Sequence, residues 1–138
     1  MYSVMRVIFK RYGKGNYFDI RGTVMKKGLH HLSQAEKRVV QSFVEELRNR
    51  LGNEIVKIIL FGSKIRGDFS KGSDIDIFIL LRQKTPDIRD RVGDLTADYI
   101  FDHDVPLSPV LYDLLEYQRN KELGSFFFEN VEKEGILL

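Results

Sequence analysis

Apolar residues recur along this chain in two rhythms, and the alternation between them predicts its architecture. From Val39 through Val40, Phe43, Val44 and Leu47 to Leu51 the spacing is three and four, the mark of a helix that buries one face. Ser33-Gln34-Ala35-Glu36 just ahead of it is a capping box, so the helix starts there, and Gly52 offers a left-handed stop. Lys37, Arg38, Glu45 and Arg48 fall on the opposite, solvated face. Residues 55–61 and 75–81 are instead short, β-branched apolar runs, expected of strands buried on both faces. Thr85-Pro86 suits the cap and first position of a helix over about residues 86–97. A third strand is expected over 107–112, where Pro106 and Pro109 argue for a sheet edge or a bulge. Asp113 can cap a helix through about Lys121, and Ser125 a last one ending at Gly135. Helices that alternate with strands predict an α/β or α+β domain, a small mixed sheet flanked by helices in two or three layers.

Residues 1–28 stand apart from this pattern. They hold seven Lys or Arg against one acid, a balance of +6, whereas the remainder carries 15 bases and 19 acids, or −4. The basic pI therefore belongs to an N-terminal extension and does not indicate a nucleic-acid-binding body; nucleic acid is not a required partner. Two β-prone runs around Gly13-Lys14-Gly15-Asn16 admit a basic hairpin there, with a loosely ordered tail or a natural start at Met25 as the alternatives. The domain proper is expected over 29–138, one ordinary domain in size. The chain has no cysteine, which excludes disulfides, thiolate metal sites and cysteine nucleophiles. No apolar run approaches the ~20 residues of a membrane span, no membrane partner is expected, and a cytoplasmic location is.

The chemistry concentrates between the first two strands. Leu60-Phe61-Gly62-Ser63-Lys64-Ile65-Arg66-Gly67-Asp68 places a glycine at a strand end, where the backbone can approach a ligand closely and the N–H groups that follow can bind phosphate oxygens. Ser63 adds a neutral donor, and Lys64 and Arg66 add cationic ones. A P-loop is excluded because Asp68 stands where its lysine must be. A plain tight turn with surface charges is the alternative for this segment alone. Further on, Ser73-Asp74-Ile75-Asp76-Ile77 puts two carboxylates on one face of a strand, with Ile75 and Ile77 turned into the core. Their Cα atoms would lie roughly 6.5–7 Å apart, close enough for repulsion that a divalent cation with oxygen ligands relieves. By itself such a pair is a weak signal, and a structural or merely solvated role is the leading reading for it alone.

Together, the strand, Gly62-Ser63, ten residues, Asp74-Ile75-Asp76 and the second strand resemble the nucleotidyltransferases of the DNA polymerase β superfamily, and within it the small branch called minimal nucleotidyltransferases. The resemblance implies a polymerase β-like fold and transfer of a nucleoside monophosphate, AMP first, from an NTP to a protein or small-molecule hydroxyl. It implies that Gly62, Ser63, Lys64, Arg66 and Ser73 bind the nucleotide, ATP above others. Asp74 and Asp76 would be catalytic and would hold two Mg²⁺ ions, with Mn²⁺ as the alternative. It also implies a toxin–antitoxin role beside a HEPN-domain protein; a homo-oligomer is compatible with it. One departure stands out: family members place a third acid on a later strand, and here that position is Ser108. Asp104 would be about 13 Å from it along a regular strand, Asp113 has the wrong parity, and Asp102 and Asp104 read as loop carboxylates or caps. A catalytically impaired module that neutralises a partner by binding is therefore the rival function.

The smaller signals read as structural. His30 and His31, if extended, would point apart and chelate poorly, and His103 is alone. Of Phe126, Phe127 and Phe128 only part can face a core around Val131, leaving a remainder for a partner or dimer contact. Tyr112 and Tyr117 could stack on a base but suit core or rim packing better.

Overall fold

A computed structural model describes residues 29–70 and 72–138; the expected basic hairpin or tail, with its boundary at residue 28, lies outside the described residues. After a 3₁₀ turn at Leu29–His31 come α1 (Gln34–Leu51), a 3₁₀ turn (Gly52–Glu54), β1 (Ile55–Phe61), the one-turn α2 (Ser63–Arg66) and β2 (Ile75–Leu81). There follow α3 (Pro86–His103), β3 (Leu107–Asp113), α4 (Leu114–Glu122), α5 (Phe126–Glu134) and β4 (Ile136–Leu137). The strands form one mixed sheet in the order β3-β2-β1-β4. β1 pairs antiparallel with β2 and with β4, and β3 runs parallel to β2 after the α3 crossover.

Each sheet face has its own core. On one side Ile58, Leu60, Ile75, Ile77, Ile79 and Leu81 meet the apolar stripe of α1 and α3, including Phe43, Leu47, Val92 and Leu95. On the other, Ile59, Phe78 and Leu80 meet Phe128 and Val131 of α5, with Phe61, Tyr112 and Tyr117 around them. This double cover is why β1 and β2 read as nearly continuous apolar runs.

The expected starts hold because the caps hold. Ser33 Oγ accepts from Glu36 N at 3.0 Å and Glu36 Oε1 accepts from Ser33 N at 2.8 Å, and Thr85 and Asp113 cap α3 and α4. β3 takes the edge position that its prolines suggested. The end of α3 differs from the expectation: the helix continues to His103, stopping only where Asp104 turns left-handed with φ 52°. Tyr99 gives the extra turn its reason, since its ring packs edge-on against Phe43 and its hydroxyl donates to Glu46 of α1 at 2.9 Å. β4 was not foreseen. It is two residues long and forms because Gly135, with no Cβ to collide with Ile59 and the Val131 carbonyl, lets the chain turn onto β1. No described helix is long and apolar enough to cross a membrane.

Candidate active site

β1 ends at Phe61, and the next residue adopts φ 90°, ψ −167°, a conformation open essentially to glycine alone. Gly62 then reverses the chain into α2, and its carbonyl accepts from both Ile65 N and Arg66 N at 3.1 Å. The N–H groups of Ser63 and Lys64 open this turn, where no intrahelical carbonyl can reach them. Gly67, left-handed at φ 88°, closes it through Gly67 N to Ser63 O at 2.8 Å.

The register places the carboxylates against this turn. Asp76 pairs with Phe61 across the antiparallel β1–β2 ladder, and a Cβ on Gly62 would overlap Asp76 Oδ2 and stand 2.9 Å from its Cγ. Asp74 immediately precedes β2 and shares the face of Asp76, while Ile75 and Ile77 are fully buried on the other side. Asp74 is exposed and Asp76 half-buried. Burial, and after it the charge of Asp74, lifts the Asp76 carboxyl above the usual carboxylate range, with Arg66 pulling the other way. Gly62, Ser63, Asp74, Asp76 and the Arg66 charge thus gather at one end of the sheet.

The remaining expected ligands do more structural work than the sequence suggested. Lys64 reaches back to α1: its Nζ is 3.1 Å from Glu36 Oε2 and 4.6 Å from the centroid of the Phe69 ring. Burial alone would raise the Glu36 pKa, but the Ser33 N–H and Lys64 outweigh it and hold the carboxyl below its ordinary value. Arg66 is shared between Asp68 (3.3 Å) and Glu134 (3.7 Å). Ser73 fastens its own loop, donating to Ser70 O at 2.8 Å and accepting from Ser70 N at 3.0 Å. The histidine reading needs correcting in one respect. His30 and His31 lie in a 3₁₀ turn and not in an extended segment, so their rings come together with centroids 4.0 Å apart. His31 braces the turn from outside, since a Cβ on Gly67 would come within 2.6 Å of its Nε2.

Ser108 is the direct partner of Asp76 in the parallel β2–β3 ladder, half-buried on the same face. Asp104 is occupied as the left-handed cap of α3, and Asp113 accepts from Glu116 N at 2.8 Å as the cap of α4. Among the described residues no group of three His, Cys, Asp or Glu could hold a metal ion, so Ser108 leaves the carboxylates as a pair. Sequence reasoning missed Glu36 and His31 as supports of the turn. Glu36 was legible as half of a capping box, but its second partner, Lys64, lies beyond any local pattern.

A search of known families matches residues 40–138 to the nucleotidyltransferase domain. Over 109 residues the chain is 35% identical to a "putative protein adenylyltransferase" of Methanocaldococcus jannaschii, covering 75% of this chain and 97% of that protein. A second protein of that name from the same organism is 26% identical over 99 residues, 71% of this chain and 93% of its own. A solved "putative nucleotidyltransferase" of Sulfolobus solfataricus aligns over 81% of this chain and 86% of its own, at 20% identity and a TM-score of 0.47.

Proposed function

The chain belongs to the nucleotidyltransferase-domain family, and on that premise we propose that it moves AMP from ATP to a hydroxyl group of a protein or small molecule. One observation carries the reading: Gly62 and Asp76 are in contact, so a phosphate-accepting backbone turn and a carboxylate pair share one spot. The names of the two archaeal relatives support AMP as the transferred group and a protein as its acceptor. A HEPN-domain protein is the acceptor to try first.

Each residue has a distinct task. The opening N–H groups of the turn and the Ser63 hydroxyl would hold the outer phosphates, with Arg66 balancing their charge. Lys64 would do so only by leaving Glu36, so in this arrangement it acts mainly to fix the turn. Asp74 and Asp76 fit Mg²⁺, or Mn²⁺, because two neighbouring carboxylates repel one another and a divalent cation with oxygen ligands relieves that repulsion. The cation, when bound, supplies positive charge at the α-phosphate and at the departing pyrophosphate. The acceptor oxygen bonds to the α-phosphorus as the bond to the pyrophosphate oxygen breaks. With Ser108 beside Asp76 no third carboxylate takes the hydroxyl proton, which leaves to water.

Ser108 also favours a second reading, a module that occupies its partner without modifying it. The two are separated by incubating the protein with α-labelled ATP, Mg²⁺ and a HEPN-domain protein beside the Asp74→Ala/Asp76→Ala variant. Label that reaches the acceptor with the native protein and not with the variant supports transfer. A tight complex with no label in either sample overturns it.

A further inference from the structure

Beside the carboxylates, between the end of β1 and α5, lies an open groove of about 290 Å³ lined by Phe61, Arg66, Phe127, Asn130, Val131 and Glu134. We propose that it is the seat of the nucleotide base and selects adenine; this rests on the nucleotidyltransferase reading above and assigns residues that the reading leaves unassigned. The groove is continuous with the site through two of its walls. Phe61 immediately precedes Gly62 and pairs with Asp76, and Arg66 lies on the turn and acts electrostatically on Asp76. A nucleotide whose phosphates rest on the turn therefore has the groove as its neighbouring apolar surface.

The lining suits a base. Phe127 is held by its neighbours, edge-on to Phe61 at 5.9 Å and near Tyr112 at 5.8 Å, yet keeps 36% of its surface open as a stacking platform. Asn130 follows three residues later on α5 and so projects beside it. Its side-chain amide offers one donor and one acceptor side by side, which matches the N7 acceptor and N6 amino donor of adenine; the same edge of guanine presents two acceptors. The Arg66–Glu134 pair, 3.7 Å apart and about half exposed, forms the wall on the side of the turn.

The test compares ATP, GTP and inorganic tripolyphosphate binding, by calorimetry with Mg²⁺, in the native protein and in the Asn130→Ala, Asn130→Asp and Phe127→Leu variants. Asn130 is exposed, so its variants keep the fold whatever becomes of Phe127→Leu. Asn130→Asp sets a second acceptor against N7, so ATP should weaken roughly tenfold, whereas Asn130→Ala, which offers neither partner, should narrow the ATP-to-GTP preference. Asn130→Ala should weaken ATP several-fold, Phe127→Leu should weaken both nucleotides, and tripolyphosphate should bind all forms alike. Unchanged ATP and GTP affinities in the Asn130 variants, with ATP still binding, overturn the base assignment and leave the transferase reading intact. Failure of the native protein to bind either ATP or tripolyphosphate overturns both.

Discussion

Gly62 and Asp76 occupy each other's space: only the missing Cβ of Gly62 leaves room for the Asp76 carboxylate. Gly62→Ala should therefore fail twice, through backbone strain at φ 90° of about 1–3 kcal/mol and through displacement of the carboxylate. AMP transfer should drop roughly a hundredfold or more. In a thermal-melt cycle, Gly62→Ala/Asp76→Ala should be more stable than the sum of the two single effects, because removing the carboxylate removes the collision. Strict additivity would show that the two residues do not interfere.

Ser108 stands beside Asp76 on the neighbouring strand, roughly 4.8 Å away between backbones. Ser108→Asp would add a third carboxylate to the face that holds two. Without divalent cation the variant should melt below the native protein, because like charges crowd. With Mg²⁺ or Mn²⁺ it should gain more stability than the native protein does, and transfer should rise at least tenfold. Melting curves with and without the cation, together with label-transfer rates, check both expectations.

Glu36 and Lys64 connect the capping box of α1 to the Gly62–Gly67 turn, both side chains being largely shielded. Glu36→Gln keeps a capping-competent side chain but removes the counter-charge, at a loss of about 1 kcal/mol at pH 7. The folded-state pKa of Glu36 is depressed, so its stabilisation is present above the unfolded pKa and disappears as pH falls through the folded value. The stability gap between native protein and variant should thus be full at pH 7, begin to shrink near the ordinary Glu value of about 4.3 and close as pH falls through the depressed folded value. Denaturant titrations across that range measure it.

Phe126 and Phe128 are two residues apart and opposite in character, 75% and 1% exposed. Phe128→Ala should cost about 3–5 kcal/mol and lower the melting temperature by roughly 10–20 °C, while Phe126→Ala should leave it nearly unchanged. Phe128 is the buried ring that seats α5 on the sheet, touching Phe78, Tyr112 and Tyr117.

Local chemistry made much of this legible. The caps at Ser33, Thr85, Asp113 and Ser125 and the apolar runs of β1 and β2 fixed most element starts, because side chains a few residues away create them. The extra turn of α3 and the two-residue β4 were not legible: one depends on Tyr99 meeting Phe43 and Glu46, the other on a space against Ile59. At the site, the strand alternation correctly placed Asp74 and Asp76 on the face opposite Ile75 and Ile77. The roles of Lys64 and His31 were hidden, since Glu36 and Gly67 meet them only after the chain has folded back.

The mixed topology of the sheet has a consequence for the order in which the molecule assembles. Phe61 and Asp76 come together across a short antiparallel connection, so the Gly62 turn and both carboxylates belong to the most local pairing in the sheet. Ser108 reaches Asp76 only after the whole α3 crossover has closed a parallel pair, a slower event. Folding is therefore expected to form the Gly62 turn with its carboxylates before the Ser108 wall is added.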